Sequence, residues 1–341
     1  MGKRIRTRRR QIIGQIAILS QALTLMPMRG DAGLSEQSHD RPLLVLDQFV
    51  RGSGITTVIA DGDVHDPYFS GMSLLCAHEL GLSIEPLARS MLAWLLPQQR
   101  GDGGFSRYCL RAGRWTPCMP ADADDSMCAI VIELIAIVST GRGIRTEWQS
   151  AIDRCQNLLA RLKIERGTYN VSMDLPVQLL MDNCEVYRSL VRLSESYKSN
   201  ALFARARDAR VQANTLGTSI VRQFWQPGTA SYLITSQNSN GDTFYPDATG
   251  QLFPLLVGLH RQKGTPGVDL LRWIDQYANA WLAGTSDHYP WGLMAMALHS
   301  AGHSDVARRW LDFATPLRTT NRWNVLEEAI YQGLSLALMT K

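Results

Sequence analysis

The chain has 341 residues, of which 45% are hydrophobic and only 19% charged, enough for a large core and too apolar for bulk disorder. Its formal charge of +4 is local: Lys3, Arg4, Arg6, Arg8, Arg9, Arg10 and Arg29 precede Gly33 with only Asp31 against them, leaving 28 basic and 30 acidic residues elsewhere. That balance excludes the basic surface expected of a nucleic-acid binder.

Residues 1–33 read as an export leader. Positions 1–10 are cationic, 12–26 are modestly apolar but too short to span a bilayer, and Gly30 and Ala32 are small where a signal peptidase reads. Thr7-Arg8-Arg9 and the polar Gln15, Ser20, Gln21 and Thr24 give the leader a twin-arginine character. The expectation is a periplasmic or secreted protein with one domain over 34–341 and no integral membrane domain. Six cysteines suit an oxidising compartment, and their spacings match no zinc pattern. Cys109 and Cys118 flank a short loop and could bridge; the other four read as readily as small buried hydrophobes.

Beyond the leader, apolar residues recur at helical spacing without a convincing run of alternating strands. The spacing predicts helices over 42–50, 67–80, 84–96, 124–139, 145–162 and 176–196. It predicts six more over 201–224, 247–262, 268–282, 290–301, 304–315 and 325–339. Gly81, Gly141, Gly264 and Gly302 lie just past helix ends. The connectors 101–114, 167–174 and 228–242 are rich in Gly, Asn or Ser, and the β-prone 168–171 and 231–235 suit small hairpins. Several helices, such as 127–138, are apolar all round and need burial on every side. About twelve helices joined as hairpins pack economically as an all-α toroid, six inner helices inside six outer ones. No 30–45-residue repeat supports the alternative, a superhelical array.

In such a ring, the loops entering the inner helices gather at one end. Asp122-Ala123-Asp124-Asp125-Ser126, ahead of an apolar helix, holds more carboxylates than a helix cap requires. Asp182 and Glu185 stand three apart among Leu179, Leu180, Val186 and Leu190, so they share a face and need a polar cavity or a partner such as Arg188 or Arg192. Asp247 and Gln251, four apart after Tyr245-Pro246, would point one way, and Asp66 precedes Pro67-Tyr68-Phe69 at another helix start. Tyr68, Trp115, Tyr245 and Trp291 offer flat faces near these positions, suited to stacking on sugar rings. Glycosidic cleavage requires one protonated and one ionised carboxyl group, whose pKa values burial and like-charge neighbours can separate.

Together these features resemble the six-hairpin glycosidase superfamily with its (α/α)6 barrel. Asp66 through Met72 is similar to the acid-x-x-x-x-Gly-Met helix start of family 8 glycoside hydrolases, and Asp122-Ala123-Asp124 to their Asp-Ala-Asp segment. The resemblance implies that Asp66 is the general acid and that Asp124 lies near substrate, although that family's acid is Glu, one methylene longer. Segments 180–187 and 245–254 are similar to parts of uncharacterised helical-barrel proteins linked with polysaccharide handling. A second resemblance is to class II terpene cyclases: residues 98–105 resemble their Gln-Gly-aromatic repeat, and 122–126 their Asp-x-Asp-Asp-Ser/Thr motif, with Asp124 as the proton donor. Two further readings remain: a non-catalytic scaffold working with other proteins of an exopolysaccharide system, and a polysaccharide lyase.

The reading favoured here is an exported hydrolase of a polysaccharide or oligosaccharide, needing no cofactor and no metal. Asp66, Asp124, Asp125 and Glu185 are its expected catalytic groups. Asp122, Asp182, Tyr68, Trp115, Tyr245, Asp247 and Trp291 are its expected substrate contacts.

Overall fold

The computed structural model describes residues 41–51, 55–237 and 241–339, so the expected leader lies outside the described residues. In chain order the helices are α1 (Pro67–Glu79), α2 (Glu85–Leu95), α3 (Asp124–Ser139), α4 (Thr146–Leu162), α5 (Leu180–Ser199) and α6 (Phe203–Phe224). They continue with the short α7 (Thr249–Gln251) and α8 (Phe253–Leu256), then α9 (Leu270–Leu282), α10 (Gly292–Ser300), α11 (Ser304–Ala314) and α12 (Val325–Met339).

The inner elements close on themselves. Helix α1 packs on α3, α3 on α5, α5 on α8, α8 on α10, α10 on α12, and α12 returns to α1. Outside them, α2 and α4 pack on α3, α6 on α5, and α11 on α10 and α12, while α9 packs on α11 and on the turn before α7. Composition separates the layers. Helix α3 buries 14 of its 16 residues, as an element enclosed on all sides must. Its partner α4 buries a stripe (Trp148, Ala151, Ile152, Cys155, Leu158, Leu159, Leu162) and turns charge outward. The fold is an all-α (α/α)6 toroid. None of the helices among the described residues is long and apolar enough to cross a membrane.

Three expectations about elements need correction. No helix forms over 42–50: residues 42–46 are extended, pairing Leu43 with Ser83, and 47–49 form a turn, while Gln332 of α12 bonds both the N–H and the carbonyl of Val45. Leu43 and Val45 face out while Leu44 and Leu46 are buried, a period of two that the unbroken apolar run conceals. This segment lies beside α12 and the α1–α2 turn, leaving five outer helices among the described residues. Expected helix 247–262 is broken: Pro254 lacks the N–H that would continue the ladder from α7, and Gly258 ends the segment at φ +73°. The helix expected from 176 starts at Leu180, after an extended approach in which Leu179 bridges Thr235.

Short strands also occur. Strands β1 (Val50–Arg51) and β2 (Ile55–Thr56) pair with each other, and β3 (Val64–His65) joins a hairpin of β4 (Ser106–Arg111) and β5 (Arg114–Pro120). Ala112 and Gly113, both at positive φ, turn that hairpin, and the Cys109–Cys118 disulfide staples it. The other four cysteines are buried and free. Strands β6 (Trp225–Gln226) and β7 (Ser231–Tyr232) form the small hairpin expected near 231–235, whereas 168–171 contributes an isolated bridge at Tyr169.

Candidate active site at the N-terminal ends of the inner helices

The N-terminal ends of three inner helices, α1, α3 and α5, meet through polar side chains. Asp66 caps α1, its carboxylate accepting the Tyr68 N–H at 3.0 Å. The Tyr68 hydroxyl donates to Glu185 Oε1 of α5 at 2.8 Å, and the Ser126 hydroxyl of α3 donates to Glu185 Oε2. Glu185 therefore joins three inner helices while only 2% exposed. Burial pushes its pKa up to about 7, against the pull of the two hydroxyls and of Arg188.

Asp125 is fully buried. One oxygen accepts the Ser126 N–H, and Oδ2 has no hydrogen-bond partner. Burial first, then the charge of Asp182, hold its carboxyl well above the carboxylate range. Asp182 lies one turn before Glu185 on α5 and is 9% exposed. Asp66 is pushed to about 6 by burial, with Arg107 of β4 at 3.9 Å opposing the shift.

The three neighbouring aspartates diverge. Asp122 is exposed at the rim and pairs with Arg107 at 3.3 Å. Asp124 pairs with Arg100, on the turn after α2, at 2.9 Å. Only Asp125 turns toward Asp182 and Glu185. Asp247 also stands apart: it is fully buried, accepts from the Thr243 hydroxyl at 3.2 Å, and bears on Tyr277 of α9. Gln251 does not point with it but clamps the Tyr232 N–H and carbonyl of β7. Arg188 and Arg192, considered as partners for the α5 carboxylates, pair instead with Glu133 and Glu79.

The aromatics form part of the same end. Tyr245 stacks on Trp291 with centroids 4.3 Å apart, and after burial the charges of Asp182, Asp122 and Glu185 raise its pKa. Trp115 is half-buried on β5, edge-on to His65. The sequence reading missed Ser126 as a hydroxyl donor, Arg107 and Glu327. Glu327 is 4% exposed at the start of α12 and accepts the Gly292 N–H at 2.8 Å. That bond fixes the start of α10 beside Trp291, which sits at φ +53°. Gly292 has no room for a side chain, since a Cβ would lie 2.7 Å from both Glu327 and Trp310. Burial pushes Glu327 up to about 7.

Among the described residues, no group of three or more His, Cys, Asp or Glu side chains is placed to hold a metal ion. What the cluster can do is exchange protons near neutral pH and hydrogen-bond hydroxyl groups.

No protein-family model matches the chain, nor does any curated protein. Solved structures do. An α-amylase from Clostridium perfringens superposes with a TM-score of 0.53 at 11% identity, covering 85% of this chain and 94% of that one. A D-mannose isomerase gives 0.53 at 11% identity, covering 86% and 94%. A reducing-end-xylose releasing exo-oligoxylanase gives 0.54 at 13% identity, covering 84% and 85%. The likeness is one of fold: the chain shares the (α/α)6 toroid of these enzymes. Within the six-hairpin toroid, an isomerase and two glycosidases share one frame, so chemistry must be argued from side chains.

Proposed function

We propose that this protein is an exported glycoside hydrolase that cleaves a polysaccharide or oligosaccharide at the N-terminal ends of its inner helices. The observation that carries this reading is Glu185, a buried carboxyl near pKa 7 held by hydroxyls from two other inner helices. Such a group is protonated often enough at neutral pH to serve a leaving oxygen, and Tyr68 and Ser126 fix its orientation. Asp66 is the ionised partner. Its lower pKa, the nearby Arg107 and its 8% exposure suit it to activating a water. This reverses the role that the family 8 resemblance implies for Asp66, and its shorter side chain fits the change. Asp182 and Asp125 bind sugar hydroxyls, and the Tyr245–Trp291 pair provides a stacking platform. Asp124, paired with Arg100 at 2.9 Å, supports that wall.

Reducing-sugar release over a panel of β-linked polysaccharides tests the reading. Glu185→Gln and Asp66→Asn should each lower release on the order of 10²-fold or more, and Asp122→Asn by less than about threefold. Full release from Glu185→Gln would overturn the assignment. Retained binding with no release from wild type would favour the scaffold.

A further inference from the structure

A recess of about 1400 Å³ lies at the other end of the ring, where the inner helices finish. Its opening follows from helix lengths. The fourth inner element stops at Leu256 and α10 at Ser300, while α5 runs on to Ser199, so their ends leave a recess above the middle of the ring. Leu80, Val191, Leu255 and Met296 supply an apolar wall.

The charges there run against the rest of the domain. Arg41, Arg192, Arg210, Arg261 and Lys263 line the recess with Arg188 deeper in, against only Glu79 and Glu195. Both acids are already engaged: Glu79 by Arg192, and Glu195 by Arg192 and Arg210. Arg41, Arg261 and Lys263 have no ion-pair partner among the described residues, so three cations line one recess. Deeper still, Arg188 is 4% exposed. Its Nε pairs with Glu133 at 2.9 Å, yet Nη1 has no hydrogen-bond partner. A buried guanidinium N–H left unmatched beside a cavity of like charges is costly unless an acceptor is supplied.

We propose that this recess is a second binding site, separate from the Glu185 cluster, for an organic anion. The anionic oxygens of a carboxylate or phosphate would meet Arg261, Lys263 and Arg41 at the mouth, and the organic body would pack on Leu255 and Met296. Arginine forks match both oxyanions, and the apolar wall favours a ligand with a body over a bare ion. The site does not depend on the hydrolase reading, because Arg41, Arg261 and Lys263 at its mouth take no part in the Glu185 cluster.

Calorimetric titration of the whole mature chain tests this with three probes: glucose 6-phosphate, glucuronate and inorganic phosphate. At least one of the two sugar anions should bind with a sub-millimolar Kd that weakens at least tenfold between 50 and 300 mM salt, tighter than inorganic phosphate by about tenfold. Their order tells phosphate from carboxylate. The double variant Arg261→Ala/Lys263→Ala removes unpaired, exposed side chains, so the fold is kept; it should lose at least tenfold in affinity, while Glu185→Gln should bind as wild type does. Absence of binding by both sugar anions at millimolar concentration would overturn the proposal. So would binding unchanged in the double variant, or binding abolished by Glu185→Gln.

Discussion

Glu185 carries a conflict between chemistry and folding. Its carboxyl shifts from 4.5 to about 7 because burial penalises the charged form. Below about pH 4.5 the group is neutral folded or unfolded, and nothing is lost. As pH rises toward 7 the unfolded chain releases the proton first, so stability falls, and above 7 the folded state carries the whole penalty. Glu185→Gln should therefore stabilise the protein by about 2–3 kcal/mol at pH 8 and far less at pH 5 in urea unfolding. Equal stability of the two proteins at pH 8 would remove the strain on which the acid role rests. Other residue-scale features were only partly legible. The run 122–126 marked the right helix start, but three aspartates within four residues point three ways, and only coordinates select Asp125 as the inward one. Glu327 escaped notice because a Glu-Glu pair at a helix start also reads as a plain response to the helix dipole.

Helices that are apolar all round were easy to place, and elements mixing two periods were not. Hairpin β4–β5 was hidden because Ala112 and Gly113 occupy left-handed positions where Asn-Gly would have announced the turn. The expected helix over 42–50 failed for the complementary reason, its unbroken apolar run over 43–46 giving no sign of which alternate residues faced out. Between α3 and α5 the sequence offered a charge pair without its partners. Glu133 and Arg188 meet at 2.9 Å with side chains 2% and 5% exposed, and the guanidinium also touches Met72 of α1. Removing one member strands the other. Glu133→Leu should cost about 3–5 kcal/mol, and Glu133→Leu/Arg188→Met should recover most of that in chemical denaturation. Additive losses in the double variant would mean that the two charges stabilise independently.

At the scale of the whole molecule, the toroid exists because the first and last inner helices meet, and the contact is made by a glycine. A Cβ on Gly333 of α12 would lie 2.5 Å from the Leu80 Cβ just past α1. On the neighbouring seam a Cβ on Gly71 of α1 would lie 2.2 Å from the Ile130 Cγ2 of α3. Both absences of a side chain let helix axes approach where the ring is tightest, and both ends of the axis depend on that spacing: Tyr68 must reach Glu185 at one end, and the Arg-lined recess keeps its shape at the other. Gly71→Ala and Gly333→Ala should each cost about 2–3 kcal/mol, well beyond the loss of backbone freedom that normally favours alanine in a helix. Gly101→Ala, whose Cβ would meet nothing within 4 Å, should be neutral within about 0.5 kcal/mol. The decisive comparison is Gly71→Ala/Ile130→Ala, which moves the bulk across the seam. If closure is set by that contact, the double variant should be more stable than the sum of its single losses by about 1 kcal/mol or more, and the Tyr68–Glu185 contact should return with it. Strict additivity would show that the seam has slack, and that the ring is held by its core as a whole and not by close approach at its glycines.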